Sequence, residues 1–102
     1  MKELFKGLKD IKSQISELYE KWKTIVKQIA EITKEELEKT FNVKVSYSVY
    51  YSEILGYYAE ITIYTKDNSD EFKYSVYKHL ERVLGENYDD FKDYVALLFK
   101  PI

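Results

Sequence analysis

Val43 to Tyr64 reads VKVSYSVYYSEILGYYAEITIY, and its alternation decides the fold class. Val43, Val45, Tyr47, Val49 and Tyr51 are predicted to point one way, and Lys44, Ser46, Ser48 and Tyr50 the other. That period of two marks a half-buried strand. After a break at Ser52 to Gly56, Tyr57, Ala59, Ile61 and Ile63 alternate with Tyr58, Glu60, Thr62 and Tyr64. Two strands rich in β-branched and aromatic residues, with a short break between them, predict an antiparallel hairpin with one face on a helix.

Upstream the period changes. Leu8, Ile11, Ile15, Leu18, Trp22, Ile25, Ile29 and Ile32 recur at alternating spacings of three and four. That is a heptad seam, and it predicts a long amphipathic helix. Tyr19 and Val26 widen the stripe, which favours a helix packed on its own domain through Leu18, Trp22, Ile25 and Ile29. Self-association along the seam is the second reading. Thr33 and Glu36 have capping-box spacing, so the helix either restarts there or runs through, with Leu37 and Phe41 extending its apolar face. Asn42 is the expected C-terminal cap.

Downstream, Lys66 to Ser69 forms a turn. Ser69 is placed to cap a helix whose first turn carries Asp70 and Glu71, complementing the helix dipole. Phe72, Val76, Leu80 and Val83 share a helical face, and Gly85 is a natural stop. Phe72, Tyr74 and Val76 also alternate, so a strand over Phe72 to Val76 stays open. Asn87 is expected to cap a final helix with Phe91, Val95 and Leu98 inward, ended by Pro101. The expectation is one α+β domain over residues 1–102, with a long N-terminal helix, a central antiparallel hairpin and one or two C-terminal helices.

The chain has 102 residues, 45% apolar and 33% charged, with no cysteine. That composition belongs to a globular domain, and it removes disulfides, thiolate zinc sites and cysteine nucleophiles together. No apolar run approaches the ~18 residues of a membrane span. Lys6, Gly7 and Lys9 interrupt Leu4 and Phe5, so no secretory signal is expected and the location is expected to be intracellular. Arg82 is the only arginine, Met1 the only methionine, and Asn and Gln are scarce. A Lys/Glu-rich surface with few thermolabile residues suggests a hyperthermophile.

In length and texture the chain resembles the small orphan proteins of filamentous viruses infecting hyperthermophilic archaea, of the Acidianus filamentous virus type. The resemblance covers the full length without resting on a motif. It implies an intracellular viral protein of unassigned activity and transfers no site residue.

No strong catalytic pattern emerges. His79 is the only histidine and has no second histidine with which to share a metal, so a structural role is expected. Asp89, Asp90 and Asp93 spell D-D-x-x-D, but acids in the first turn of a helix are expected on dipole grounds alone. With 3 glycines in the chain, no phosphate-cradling loop is present. The expectation is a non-enzyme with no cofactor and no metal. Lysines from Lys2 to Lys34 suggest a basic stripe for nucleic acid, but Asp10, Glu17, Glu20 and Glu31 interrupt it.

The tyrosines remain. Six of 11 fall in the hairpin region, and Tyr50, Tyr58 and Tyr64 are predicted to share the face opposite the core. Tyrosine is a strand former, which alone accounts for much of this. It is also favoured at interface hot spots, where it contributes a large amphipathic area at little entropy cost. The functional expectation is binding of a protein or peptide partner through this face or an open strand edge. Self-association and nucleic-acid binding through the N-terminal helix are the alternatives, and no membrane role is expected.

Overall fold

A computed structural model describes all residues, Met1–Ile102. The elements run α1 (Lys2–Thr40), β1 (Lys44–Ser52), β2 (Gly56–Thr65), α2 (Asp70–Leu84), a 3-10 turn (Gly85–Asn87), α3 (Tyr88–Tyr94) and β3 (Val95–Pro101). The architecture is α+β. β1 and β2 form the antiparallel hairpin, in register from Lys44 opposite Tyr64 to Ser52 opposite Gly56.

The C-terminal segment departs from expectation. Val95–Pro101 is a strand and not the end of a helix, and it pairs parallel to β2 from Ala59 opposite Val95 to Thr65 opposite Pro101. The sheet is therefore mixed, in the order β1-β2-β3. A hairpin alone leaves β2 with an unpaired row of backbone groups at the centre of the domain, and β3 satisfies them. Pro101, lacking an N–H, sits at the strand's end where that loss is tolerated. The Ile102 N–H then donates to the Thr65 carbonyl at 3.0 Å, continuing the ladder.

α2 resolves the ambiguity over Phe72 to Val76 as helix. Its start is built as expected, with Ser69 Oγ accepting from the Phe72 N–H at 3.2 Å. It ends at Gly85, whose φ of +56° suits a residue without a Cβ. Val76 and Leu80 are buried, but Val83 is exposed and Leu84 packs on the core in its place. Asn87 makes no side-chain cap and lies within the 3-10 turn.

α1 is unbroken. Thr33 does not restart it, because its hydroxyl donates back to the Ile29 carbonyl at 2.7 Å. The helix ends in extended backbone at Phe41, one residue before the expected cap at Asn42. Its buried residues are Val26, Ala30, Thr33 and Leu37, with Trp22 and Ile29 packed beside them. Leu18 and Ile25, expected in the core, are 63% and 54% exposed. The surface laid on the sheet is thus rotated from the heptad seam. Ala30 explains part of the shift, because a small residue lets the helix axis approach the strands.

One core results, centred on Leu37, Ile61, Ile63 and Val76. α1 and α2 both cover the inward face of the sheet. At 39 residues α1 is about 58 Å long, much longer than the strands it crosses. Its first half projects beyond the domain. The extents are 64 × 28 × 22 Å and the radius of gyration is 17.9 Å, against about 13 Å for a compact chain of this length.

Candidate interaction surface

The hairpin's alternation decides which side chains face away from the helices. On β1 these are Lys44, Ser46, Ser48 and Tyr50, and on β2 Tyr58, Glu60, Thr62 and Tyr64. Ala96, Leu98 and Lys100 continue the outer face on β3. No helix covers it. The register sets the rows: Tyr50 beside Tyr58, Ser48 beside Glu60 beside Ala96, Ser46 beside Thr62 beside Leu98, and Lys44 beside Tyr64 beside Lys100.

Tyr50, Tyr58 and Tyr64 all lie on this face, but they do not form one patch. Tyr50 and Tyr58 are a directly opposed cross-strand pair, with ring centroids 5.8 Å apart and planes tilted by 33°. Tyr50, on the outer strand, is 46% exposed, and Tyr58 is half-buried behind it. Such pairs contribute about 0.5–1.5 kcal/mol beyond their area, so the rings brace one another. Tyr64 stands six residues along β2, about 20 Å away. It lies between two lysines, in a shallow hollow that Ser46, Pro101 and Ile102 help to line.

The edge of β1 adds a feature that side-chain patterning could not supply. The Val45 N–H points away from β2 and donates to Glu38 Oε2 at 3.2 Å. Antiparallel ladders alternate by residue, so Tyr47, Val49 and Tyr51 also turn their N–H and C=O groups outward. None of these three takes part in a backbone hydrogen bond outside the regular elements. β3 also has a free edge, but Lys100 and Pro101 guard its end, whereas beyond Lys44 β1 carries no charge or proline to blunt it.

The inward-facing tyrosines have a different task. Tyr51 and Tyr57 meet Tyr19 and Trp22 where α1 leaves the sheet, with Tyr19 stacked on Trp22 at 6.0 Å and Tyr51 against Tyr57 at 5.1 Å. The neighbouring Tyr19 phenol holds the Tyr51 hydroxyl above its ordinary pKa of 10.0. Glu31 does the same to Tyr47, first by hydrogen bonding to the protonated phenol, with burial and the carboxylate's charge adding to it.

His79 fastens α2 to the end of α1. Its Nε2–H donates to Glu36 Oε1 at 2.9 Å, and Nδ1 accepts from Arg82 Nη2 at 3.1 Å. Those partners select the neutral Nε2–H tautomer. The bond from His79 is the largest of the influences that lower the Glu36 carboxyl pKa from 4.5. Asp89, of the D-D-x-x-D run, is paired with Lys92 at 3.2 Å. No three carboxylate or imidazole groups lie close enough together to hold a metal ion. No helix is long and apolar enough to cross a membrane.

No protein-family model, curated protein or solved structure matches this chain.

Proposed function

We propose that this protein is an interaction module that binds an extended segment of a protein partner along β1. The observation that carries the reading is the open edge at Tyr47, Val49 and Tyr51, flanked on the outer face by the braced Tyr50–Tyr58 pair. A strand added there gains main-chain hydrogen bonds, and its alternate side chains fall beside Tyr50. Tyr58 holds the Tyr50 ring upright, so little rotamer entropy is lost on contact. Tyr64 lies too far along the sheet to share that anchor and serves the other end of a bound segment. The lysine-rich, cysteine-free texture supports a hyperthermophilic setting of the kind the viral resemblance implies.

Hydrogen exchange of the free protein tests the edge directly. Amides of Tyr47, Val49 and Tyr51 should exchange quickly while those of Ser46, Ser48 and Tyr50 are protected. A peptide selected from a displayed library should slow the first set, and Tyr50→Ser with Tyr58→Ser should weaken its binding by about 1–3 kcal/mol without unfolding the domain. Slow exchange at all six amides in the free protein would refute the open edge.

A second reading, single-stranded nucleic acid on the outer face, draws on the Lys44–Tyr64–Lys100 row and on Glu60 being that face's only carboxylate. Stacking tyrosines beside lysines suit that ligand. Binding of an oligothymidylate that weakens steeply with salt and is lost in Tyr64→Ser would favour it over the peptide.

A further inference from the structure

We infer that the projecting half of α1 is a dimerisation helix, and that its partner is the same segment of a second copy of this chain. This goes beyond the strand-edge reading and does not depend on it.

The helix carries two apolar surfaces that only partly overlap. One, around Val26, Ala30, Thr33 and Leu37, lies on the sheet. The other is the heptad seam, which Leu4 extends toward the N-terminus. Its first half is Leu4, Leu8, Ile11, Ile15 and Leu18, all exposed, with Leu4 at 76%. Beyond them Ile25 and Ile32 continue one column of the seam on the free side of the helix. The domain has no element left with which to cover any of these residues.

Area supports a macromolecular occupant. The chain exposes 7728 Å², whereas a compact monomer of 12.2 kDa exposes about 6,100 Å². The excess, on the order of 1,600 Å² per copy, is about twice the ~800 Å² that each partner contributes to a standard interface, so a second copy can be seated with area to spare. The exposed Leu and Ile side chains, with Phe5, offer roughly 400–600 Å² of apolar surface per copy. Two copies then reach about the 1,000 Å² that separates specific interfaces from incidental contacts.

The pattern selects a second helix of the same kind. A strict three-four repeat sustained from Leu4 to Ile32 keeps its stripe facing one supercoiled neighbour, where a 3.6-residue helix on a flat surface would drift. The residues flanking the exposed seam are Phe5, Gly7, Lys12 and Gln14. With one charge among them, two identical copies meet without strong repulsion, and the remaining charges lie on the far side. From Lys2 to Lys21 there are five lysines against four carboxylates, so the segment lacks the net positive charge that draws a helix onto an anionic membrane. An amphipathic helix also needs its apolar face covered to remain helical, and the seam of a second copy supplies that cover.

Sedimentation equilibrium of the full chain should give about twice 12.2 kDa at 10 µM. Ile11→Glu with Leu18→Glu removes two seam residues that touch nothing in the domain's core. It should raise the dissociation constant at least about a hundredfold. Near-UV circular dichroism should be preserved, since Trp22 and the sheet stay in place, while helicity from Lys2 to Leu18 falls. Lys9→Glu, on the opposite face of the same segment, should leave the mass unchanged. A single-chain mass for the unsubstituted protein at 100 µM overturns the inference, as does a dimer that survives the double substitution or dissociates equally with Lys9→Glu. A monomer that co-sediments with vesicles of one-third anionic lipid would overturn it too, in favour of a lipid surface.

Discussion

The junction between Gly56 and Trp22 offers the sharpest test of how the helix is seated on the hairpin. Gly56 has φ of +77°, and a Cβ built there would lie closer than 3.0 Å to Cη2, Cζ2 and Cζ3 of Trp22. Gly56→Ala therefore meets two separate penalties. The left-handed backbone costs about 1–2 kcal/mol, offset by about 0.4–1 kcal/mol of reduced unfolded-state entropy. Displacing the indole from its contacts with Tyr19 and Tyr57 adds about 1–3 kcal/mol of overpacking. The sum is a loss of about 1–5 kcal/mol, centred near 3. Trp22→Ala removes the obstruction, at a cost below the ~3–5 kcal/mol of a fully buried aromatic because the ring is only half-buried. In that background Gly56→Ala should cost only the backbone share, about 1 kcal/mol. Chemical denaturation followed by far-UV circular dichroism on the four members of the cycle reads the coupling. An equal cost of Gly56→Ala in both backgrounds, within about 0.5 kcal/mol, would refute the claim that the glycine exists to admit the indole.

Two further expectations concern the helix ends. Ser69→Ala should destabilise the protein by about 1 kcal/mol, seen as a lower denaturation midpoint with unchanged slope, because the Phe72 N–H loses its acceptor. Glu36→Gln should change how stability depends on pH. The Glu36 carboxyl pKa is lower folded than unfolded, so its contribution is full above the ordinary value of 4.5 and is lost as the pH falls through the folded value. The gap in thermal midpoint between the parent and Glu36→Gln should therefore be open at neutral pH and closed in strong acid.

How far the fold could be read in advance depended on whether one physical demand or two acted on a segment. β1 and β2 each have one buried face, so polar and apolar residues alternate plainly and the hairpin was visible down to its break at Ser52. Ser69 and Gly85 were legible because caps and stops are chemical requirements of the chain itself. β3 was hidden. Val95 to Phe99 is a short, nearly continuous apolar run, a pattern that suits a buried strand or a helix equally, and Phe91, Val95 and Leu98 happen to fit helical spacing. α1 was half legible. Its period was unmistakable, but two stripes share the helix, and the one that meets the sheet includes Ala30 and Thr33, which announce no core. Of the candidate site, the facing of Tyr50, Tyr58 and Tyr64 could be deduced from alternation. Their separation, and the open edge at Tyr47, Val49 and Tyr51, required the register and the strand order.

The parallel pairing of β3 with β2 has a consequence for how the chain is made. Synthesis runs toward the C-terminus, so the long helix and the hairpin leave the ribosome before α2, α3 and β3, and local contacts allow both to form early. The strand that closes β2 is translated well after its partner, separated from it by all of α2 and α3. Until β3 has emerged, β2 carries a bare flank on the side away from β1. A nascent chain that has not yet reached β3, or a variant cut before Val95, presents bare flanks on β1 and β2 where the folded domain presents guarded β3 and open β1. Premature termination before Val95 should thus be read by the cell less as a trimmed protein than as a sticky one.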